Sequence, residues 1–112
     1  MISRSPLDNV DEYAAMALKL YLQLSETPLK ASSNDRRTAE ALYARGISLA
    51  AVESALLLGT VRRLSRSHDL PRLSPIHSLA YFLPVIEEIL SNPVPDDYLR
   101  YLRKKVESLR SK

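Results

Sequence analysis

Apolar residues recur along most of the chain at steps of three and four residues, and no stretch alternates between apolar and polar residues. The first spacing places side chains on one face of an α-helix, whereas alternation is typical of a strand. The chain has only two glycines, and Ala, Leu, Glu, Arg and Lys, which favour helix, are abundant. The pattern predicts an all-α fold in which residues 1–112 form a single domain, a compact bundle of five or six helices.

The first predicted helix begins near Asp8 or Asn9, since either side chain can cap a helix N-terminus. It ends near Leu24, before a loop over residues 25–34. Residues at helical spacing predict one buried stripe along this helix: Val10, Tyr13, Ala14, Ala17, Tyr21 and Leu24.

Two further helices are predicted on either side of a short turn. Asn34 caps the first of them, and Gly46 ends it in a left-handed conformation. Ser48 caps the second, over Leu49–Ser65. This spacing is that of a helix-turn-helix motif, so residues 35–66 are interpreted as a helix-turn-helix-like pair.

The second helix of this pair offers few groups that could hydrogen-bond to base edges in the major groove. The outward positions near its start are Ala50, Ala51, Glu53 and Ser54. Arg45, before the turn, stands where the motif usually has an apolar residue. Any two antiparallel helices joined by a glycine turn would give a similar pattern, and the sequence leaves that alternative open.

A fourth, strongly apolar helix is predicted over Ile76–Leu90, with Ser74 as its cap and Pro75 in its first turn. Pro84 lies inside this range and lacks a backbone donor, so we expect it to kink or split the helix. His77 is expected to touch the edge of the core.

A basic C-terminal helix is predicted within residues 96–112, capped by Asp96 or Asp97 and ending near Leu109. Its apolar edge consists of Leu99, Leu102, Val106 and Leu109.

The net charge of +3 conceals a strong segregation of charge along the chain. The formal charge is −2 over residues 1–35, +4 over residues 36–72, −4 over residues 73–97 and +5 over residues 98–112. Two basic blocks can bind a polyanion if the fold brings them onto one face, although a solvated surface would have the same composition.

Residue patterns typical of catalytic and metal sites are absent from the sequence. There is no cysteine, and neither His68 nor His77 has an acidic or histidine partner at metal-site spacing. Adjacent carboxylates on a helix point about 100° apart and do not converge on one substrate. This applies to Glu87 with Glu88 and to Asp96 with Asp97. With no glycine-rich phosphate loop or nucleophile elbow either, we expect no enzyme, no cofactor and no metal site.

The apolar runs are shorter than a membrane span of about 18 residues, and the first residues lack the apolar core of a signal peptide. Together with the absence of cysteine, this predicts a cytoplasmic protein without membrane contact.

A characteristic series of elements and residues extends from Asp35 to Leu90. A helix and a Gly-Ile-Ser turn precede Val52 to Leu56, and a second set follows: Pro75, Ile76, Ser78, Tyr81, Phe82 and Ile86. This order resembles the DnaD-like helical domain of bacterial and phage replication-initiation proteins. The resemblance implies DNA binding and assembly with replication proteins, with the basic segment after the last helix contacting DNA. The whole chain is also similar to small uncharacterised helical proteins of mobile elements.

From charge and resemblance together, we expect a small non-catalytic DNA-binding protein, an accessory factor in replication or recombination of a mobile element. Basic helix ends would contact phosphates with little preference among sequences. The expected DNA-binding residues are Arg62, Arg63, Arg66, Arg100, Arg103, Lys104 and Lys105.

The alternative is a protein-protein interaction module or a homodimeric adaptor in a larger complex. The partner surface would then be the apolar stretch over residues 79–90, or the stripe that contains Tyr98 and Tyr101, with the arginines as its polar rim. A chain this rich in Leu, Tyr and Ile is also expected to associate, most simply as a homodimer.

Overall fold

A computed structural model describes residues 9–24 and 26–110, and over these ranges the chain has five α-helices and no strand. The predicted all-α bundle is confirmed. A 3₁₀ segment, Leu79–Phe82, precedes the fourth helix. The helices are α1 (Val10–Leu22), α2 (Ser33–Ala44), α3 (Leu49–Leu64), α4 (Leu83–Ser91) and α5 (Asp96–Arg110). Among the described residues, every helix is too short or too polar to cross a membrane.

Helix α1 begins where a polar cap meets acidic residues. The Asn9 side chain accepts hydrogen bonds from the backbone N–H groups of Asp11 and Glu12, at 2.7 and 3.3 Å. The two carboxylates also lie at the positive end of the helix dipole. Asn9 is therefore confirmed as the cap, whereas the other candidate, Asp8, lies outside the described residues.

Helix α2 begins at Ser33 and is capped by Ser32, so the prediction that Asn34 caps it was wrong by two residues. The Ser32 hydroxyl accepts from the Asp35 backbone N–H at 3.0 Å, and the Asp35 carboxylate accepts from the Ser32 backbone N–H at 3.0 Å. This reciprocal capping box satisfies two backbone donors at once, which a cap at Asn34 alone would not. The other carboxylate oxygen of Asp35, which is buried, accepts from the Leu79 backbone N–H at 2.9 Å. Asp35 thereby joins the start of α2 to the start of the 3₁₀ segment.

The turn between α2 and α3 follows the sequence prediction. Gly46 has a φ of 74°, which favours glycine, and the Ser48 hydroxyl accepts from the Ala51 backbone N–H at 3.1 Å. The Tyr13 hydroxyl donates to the Ile47 carbonyl at 2.7 Å and so fixes the turn against α1. Burial raises the pKa of that hydroxyl to about 12.

Helix α3 is the central helix of the bundle. It packs against α1, α4, α5 and the 3₁₀ segment, and only Ala50 and Arg62 along its length are exposed. At Gly59 an added Cβ would lie 2.8 Å from a ring carbon of Phe82, so the close approach of the 3₁₀ segment requires glycine there. The main core consists of Tyr13, Ala14, Ala17, Tyr21, Ala39, Leu42, Ile47, Val52, Ala55, Leu56, Ile76, Leu79, Phe82, Ile86 and Ile89.

The fourth predicted helix starts later than expected, and the prediction of a cap at Ser74 was wrong. Residues 65–78 contain neither helix nor strand, and His77 is exposed. The 3₁₀ segment is capped by Ser78, whose hydroxyl accepts from the Ala80 backbone N–H at 3.0 Å. Pro84 then lies in the first turn of α4, where its missing donor has no helical partner to lose. It therefore sets the start of a short helix and does not kink a long one.

Helix α5 packs along α3 and buries Leu102 and Val106. It starts at Asp96, so Asp96 and Asp97 occupy its first turn, and the prediction that one of them caps the helix from outside was wrong. Both carboxylates still face the positive end of the helix dipole. The carbonyl of Pro95 accepts the first hydrogen bonds of the helix.

Candidate nucleic-acid interface

The seven expected DNA-binding residues lie at the C-terminal end of α3, just beyond it, and along α5. Four of them are paired with carboxylates from elsewhere in the chain or from the same helix. The seven residues form two basic sets, one over residues 62–66 and one over residues 100–105, and neither range contains an acidic residue. In the folded chain, however, acidic side chains from other positions contact both sets.

Arg63 lies at the junction of two loops and is largely buried, with 9% of its side chain exposed. Its guanidinium forms an ion pair with Glu26 and donates to the Ser74 carbonyl at 2.8 Å and to the Tyr81 hydroxyl at 3.0 Å. It also lies 5.4 Å from the centre of the Tyr81 ring. These contacts make Arg63 a structural link between the two loops.

Arg62 and Arg66 are more exposed than Arg63. Arg62 forms a 2.8 Å ion pair with Glu88 of α4. Arg66 donates to the Pro71 carbonyl at 3.2 Å, and no carboxylate among the described residues lies within ion-pair distance of it.

On α5, two arginines are paired. Arg103 donates to both carboxylate oxygens of Glu53, at 2.8 and 2.7 Å, in the two-pronged geometry that arginine favours. That carboxylate raises the pKa of Arg103. Arg100 pairs with Asp97 one turn earlier at 3.1 Å, and both side chains are well exposed. An exposed ion pair of this kind contributes little to the stability of the fold, so it opens easily.

Lys104 and Lys105 differ from these arginines, since no carboxylate in the described part of the chain lies within ion-pair distance of either. At 100° per residue, Lys104 points away from the stripe that α5 buries through Leu102 and Val106. On the helical wheel, Lys104 shares an arc of about 140° with Arg100, Tyr101 and Lys105, and this arc also contains Asp97 and Ser108. We call the four residues Arg100, Tyr101, Lys104 and Lys105 the α5 basic face.

Tyr101 of the α5 basic face forms an aromatic pair with Tyr98. The rings of Tyr98 and Tyr101 are stacked with centres 5.7 Å apart, and Tyr101 is 52% exposed. An exposed ring beside cations is found in surfaces that contact nucleic acids and in surfaces that contact proteins.

The helix-turn-helix pair is not confirmed. Helix α2 packs on α1 and the 3₁₀ segment, whereas α3 packs on α1, α4 and α5. A recognition helix needs a free face to enter the major groove, and α3 exposes only Ala50 and Arg62. The turn chemistry thus matches the motif, but the packing around α3 does not.

The prediction from sequence missed Arg72. The loop that follows α3 lines a surface hollow, and both Arg66 and Arg72 lie at this hollow. The loop that carries Arg72 was predicted, but the shape of the hollow depends on tertiary contacts.

Over the described residues, no three His, Asp or Glu side chains are grouped so that they could hold a metal ion. Comparison of the chain with models of protein families, with curated proteins and with solved structures gave no match.

Proposed function

We propose that the protein is a small, non-catalytic DNA-binding protein that contacts phosphates through the α5 basic face. The proposal rests on Lys104, which lies opposite the buried stripe of α5, and on Lys105, which lies at the flank of the helix about 100° from Lys104. Neither has a carboxylate within ion-pair distance in the described residues. Lysine and arginine side chains that neutralise phosphates supply most of the affinity of sequence-independent binding.

The other expected contacts have smaller roles in this proposal. To reach a phosphate, Arg62 and Arg103 must each give up a carboxylate, and Arg63 must leave a largely buried site. Arg66 and Arg100 can also contact phosphates, because Arg66 would give up only a hydrogen bond to the Pro71 carbonyl and Arg100 only an exposed ion pair with Asp97. Lys104 and Lys105 therefore rank first among the seven.

Because α3 presents few polar groups and little free surface, binding should discriminate little among base sequences. This agrees with the resemblance to DnaD-like domains, which assigns DNA contact to the basic C-terminal segment. On that basis we propose a cytoplasmic accessory role in the replication or recombination of a mobile element.

The proposal is tested by fluorescence anisotropy with labelled duplexes of unrelated sequence at low salt. A double variant, Lys104→Gln with Lys105→Gln, should weaken binding to every duplex alike. The control removes two exposed cations elsewhere, Lys30→Gln with Arg37→Gln, and should have a much smaller effect. An equal loss in both variants would mean that only net charge matters and would contradict a defined interface.

A homodimeric adaptor is the second candidate, favoured by an exposed leucine beside an apolar hollow. Leu79, Phe82, Ile86 and Ile89 of the apolar stretch over residues 79–90 are buried, whereas Tyr81 and Leu90 are 45% and 39% exposed. Leu90 lines a hollow of about 350 Å³ with Ala50 of α3 and Leu99 of α5. A second copy of the chain would cover this surface. Light scattering at tens of micromolar should then give a dimer mass that Leu90→Asp converts to a monomer mass.

A further inference from the structure

The segment over residues 65–78 is long for a connection without helix or strand in a small domain. Connections of this length are uncommon in compact domains. Together with the end of α3 and Glu26, the segment encloses a surface hollow of about 760 Å³. That volume lies within the range of small-molecule binding sites.

The hollow keeps positive charge that the protein itself does not neutralise. Three arginines line it, Arg63, Arg66 and Arg72, and Glu26 is the one carboxylate among its described lining residues. Glu26 is already paired with Arg63. Arg66 and Arg72 have no carboxylate within ion-pair distance in the described chain, which leaves two uncompensated guanidinium groups at one hollow.

Hydrogen bonds hold one side of the hollow, around Ser74 and Ile76, before any ligand binds. The Arg63 guanidinium donates a hydrogen bond to the Ser74 carbonyl, and the Ile76 backbone N–H donates to the Glu26 carbonyl at 2.9 Å. Glu26 itself has a φ of 67°, a left-handed conformation that is rare for glutamate and that persists only where surrounding contacts enforce it. This side of the hollow therefore loses little conformational freedom when a ligand binds.

The same hollow has an apolar side. Leu70 and Leu73 line it and are 48% and 41% exposed, and Pro71 and Pro75 lie next to them. Free guanidinium groups recognise phosphate oxygens in a two-pronged geometry, and exposed apolar side chains suit an organic group. A hollow of this size has room for both parts of one ligand.

We propose that this hollow binds an organic phosphate monoester of about nucleotide size. Its phosphate contacts Arg66 and Arg72, and its organic part lies against Leu70 and Leu73. Arg63 acts as a positioning residue, because its donors hold the walls of the hollow. The inference is independent of the α5 basic face, although Arg66 is also one of the seven expected DNA-binding residues.

Isothermal titration calorimetry on the full chain at low salt tests the proposal, with adenosine 5′-monophosphate and glucose 6-phosphate as probes. Adenosine, glucose and inorganic phosphate are the matched controls. At least one ester should bind with a Kd below about 1 mM and about tenfold more tightly than either of its parts. The double variant Arg66→Gln with Arg72→Gln should weaken that binding by about tenfold or more.

The control Arg37→Gln should leave ester binding unchanged, and so should Lys104→Gln with Lys105→Gln. The second result separates this site from the proposed DNA interface. Circular dichroism melting confirms that each variant is folded. The proposal is overturned if neither ester binds, if inorganic phosphate binds as tightly as the esters, or if the folded Arg66 and Arg72 variant binds like the unmodified chain.

Discussion

Arg63→Ala should destabilise the protein far more than Arg62→Ala, although the two residues are neighbours in sequence and belong to the same expected DNA-binding set. The two side chains have different surroundings. Arg62 is 53% exposed on its side chain and pairs only with the half-exposed Glu88. Arg63 is 9% exposed and contacts Glu26 and Ser74 from two loops and Tyr81 from the 3₁₀ segment.

The expected difference follows from these contacts. A solvent-exposed ion pair such as Arg62 with Glu88 contributes about 0–1 kcal/mol. Hydrogen bonds that involve a buried charged group contribute about 1.5–3 kcal/mol each, and the half-exposed partners Glu26 and Tyr81 reduce that range here. We therefore expect Arg63→Ala to lower the free energy of unfolding by about 2–4 kcal/mol.

Urea unfolding followed by circular dichroism at 222 nm measures both variants on the same scale. The two proteins should have similar slopes and well-separated midpoints. Arg63→Lys keeps the charge but not the forked donor geometry, so it should recover only part of the loss. Equal midpoints for Arg62→Ala and Arg63→Ala would refute the assignment of Arg63 as a structural link.

Three further changes test the core. Gly59→Ala should destabilise the protein by about 1–3 kcal/mol in urea unfolding despite its better helix propensity, because the new Cβ would overlap the Phe82 ring. Tyr21→Phe should leave stability unchanged or raise it, since the buried Tyr21 hydroxyl has no hydrogen-bond partner in the described chain; a loss above about 1 kcal/mol would argue against this. Burial raises the pKa of Tyr13 and of Tyr21, the latter with help from Asp35, from 10.0 to about 12. A raised pKa favours the neutral form in the folded state, so stability should be full below pH 10 and fall as the pH rises from 10 to 12. Tyr21→Phe should make that fall shallower.

The fold was predictable where local chemistry decides it. Gly46 and Ser48 act through backbone groups within a few residues, so their identities were enough to place two helix ends. The same local chemistry narrowed the start of α1 to Asp8 or Asn9. The start of α4 was not predictable in this way. Apolar residues continue from Leu79 into α4 without a break. The hydrogen bond from the Leu79 backbone N–H to the buried Asp35 carboxylate joins residues 44 positions apart, and no local pattern indicates such a contact.

The basic sets were predictable from composition, but their pairing was not. The carboxylates that pair with Arg63 and Arg103 come from positions 37 and 50 residues away in the sequence. No periodicity or local motif links such distant residues. The stripe of Leu102 and Val106 was visible in the sequence, and it correctly implies that Lys104 faces away from the core.

The salt dependence of DNA binding is the most direct test of the proposed α5 basic face. The logarithm of the binding constant should fall linearly with the logarithm of salt concentration, with a slope of about 0.9 per neutralised phosphate on duplex DNA. Lys104→Gln with Lys105→Gln should reduce the magnitude of that slope by about two units, whereas Lys30→Gln with Arg37→Gln should leave it nearly unchanged. An unchanged slope in the Lys104 and Lys105 variant, or no binding of the unmodified chain to duplex or single-stranded DNA at low salt, would contradict the account.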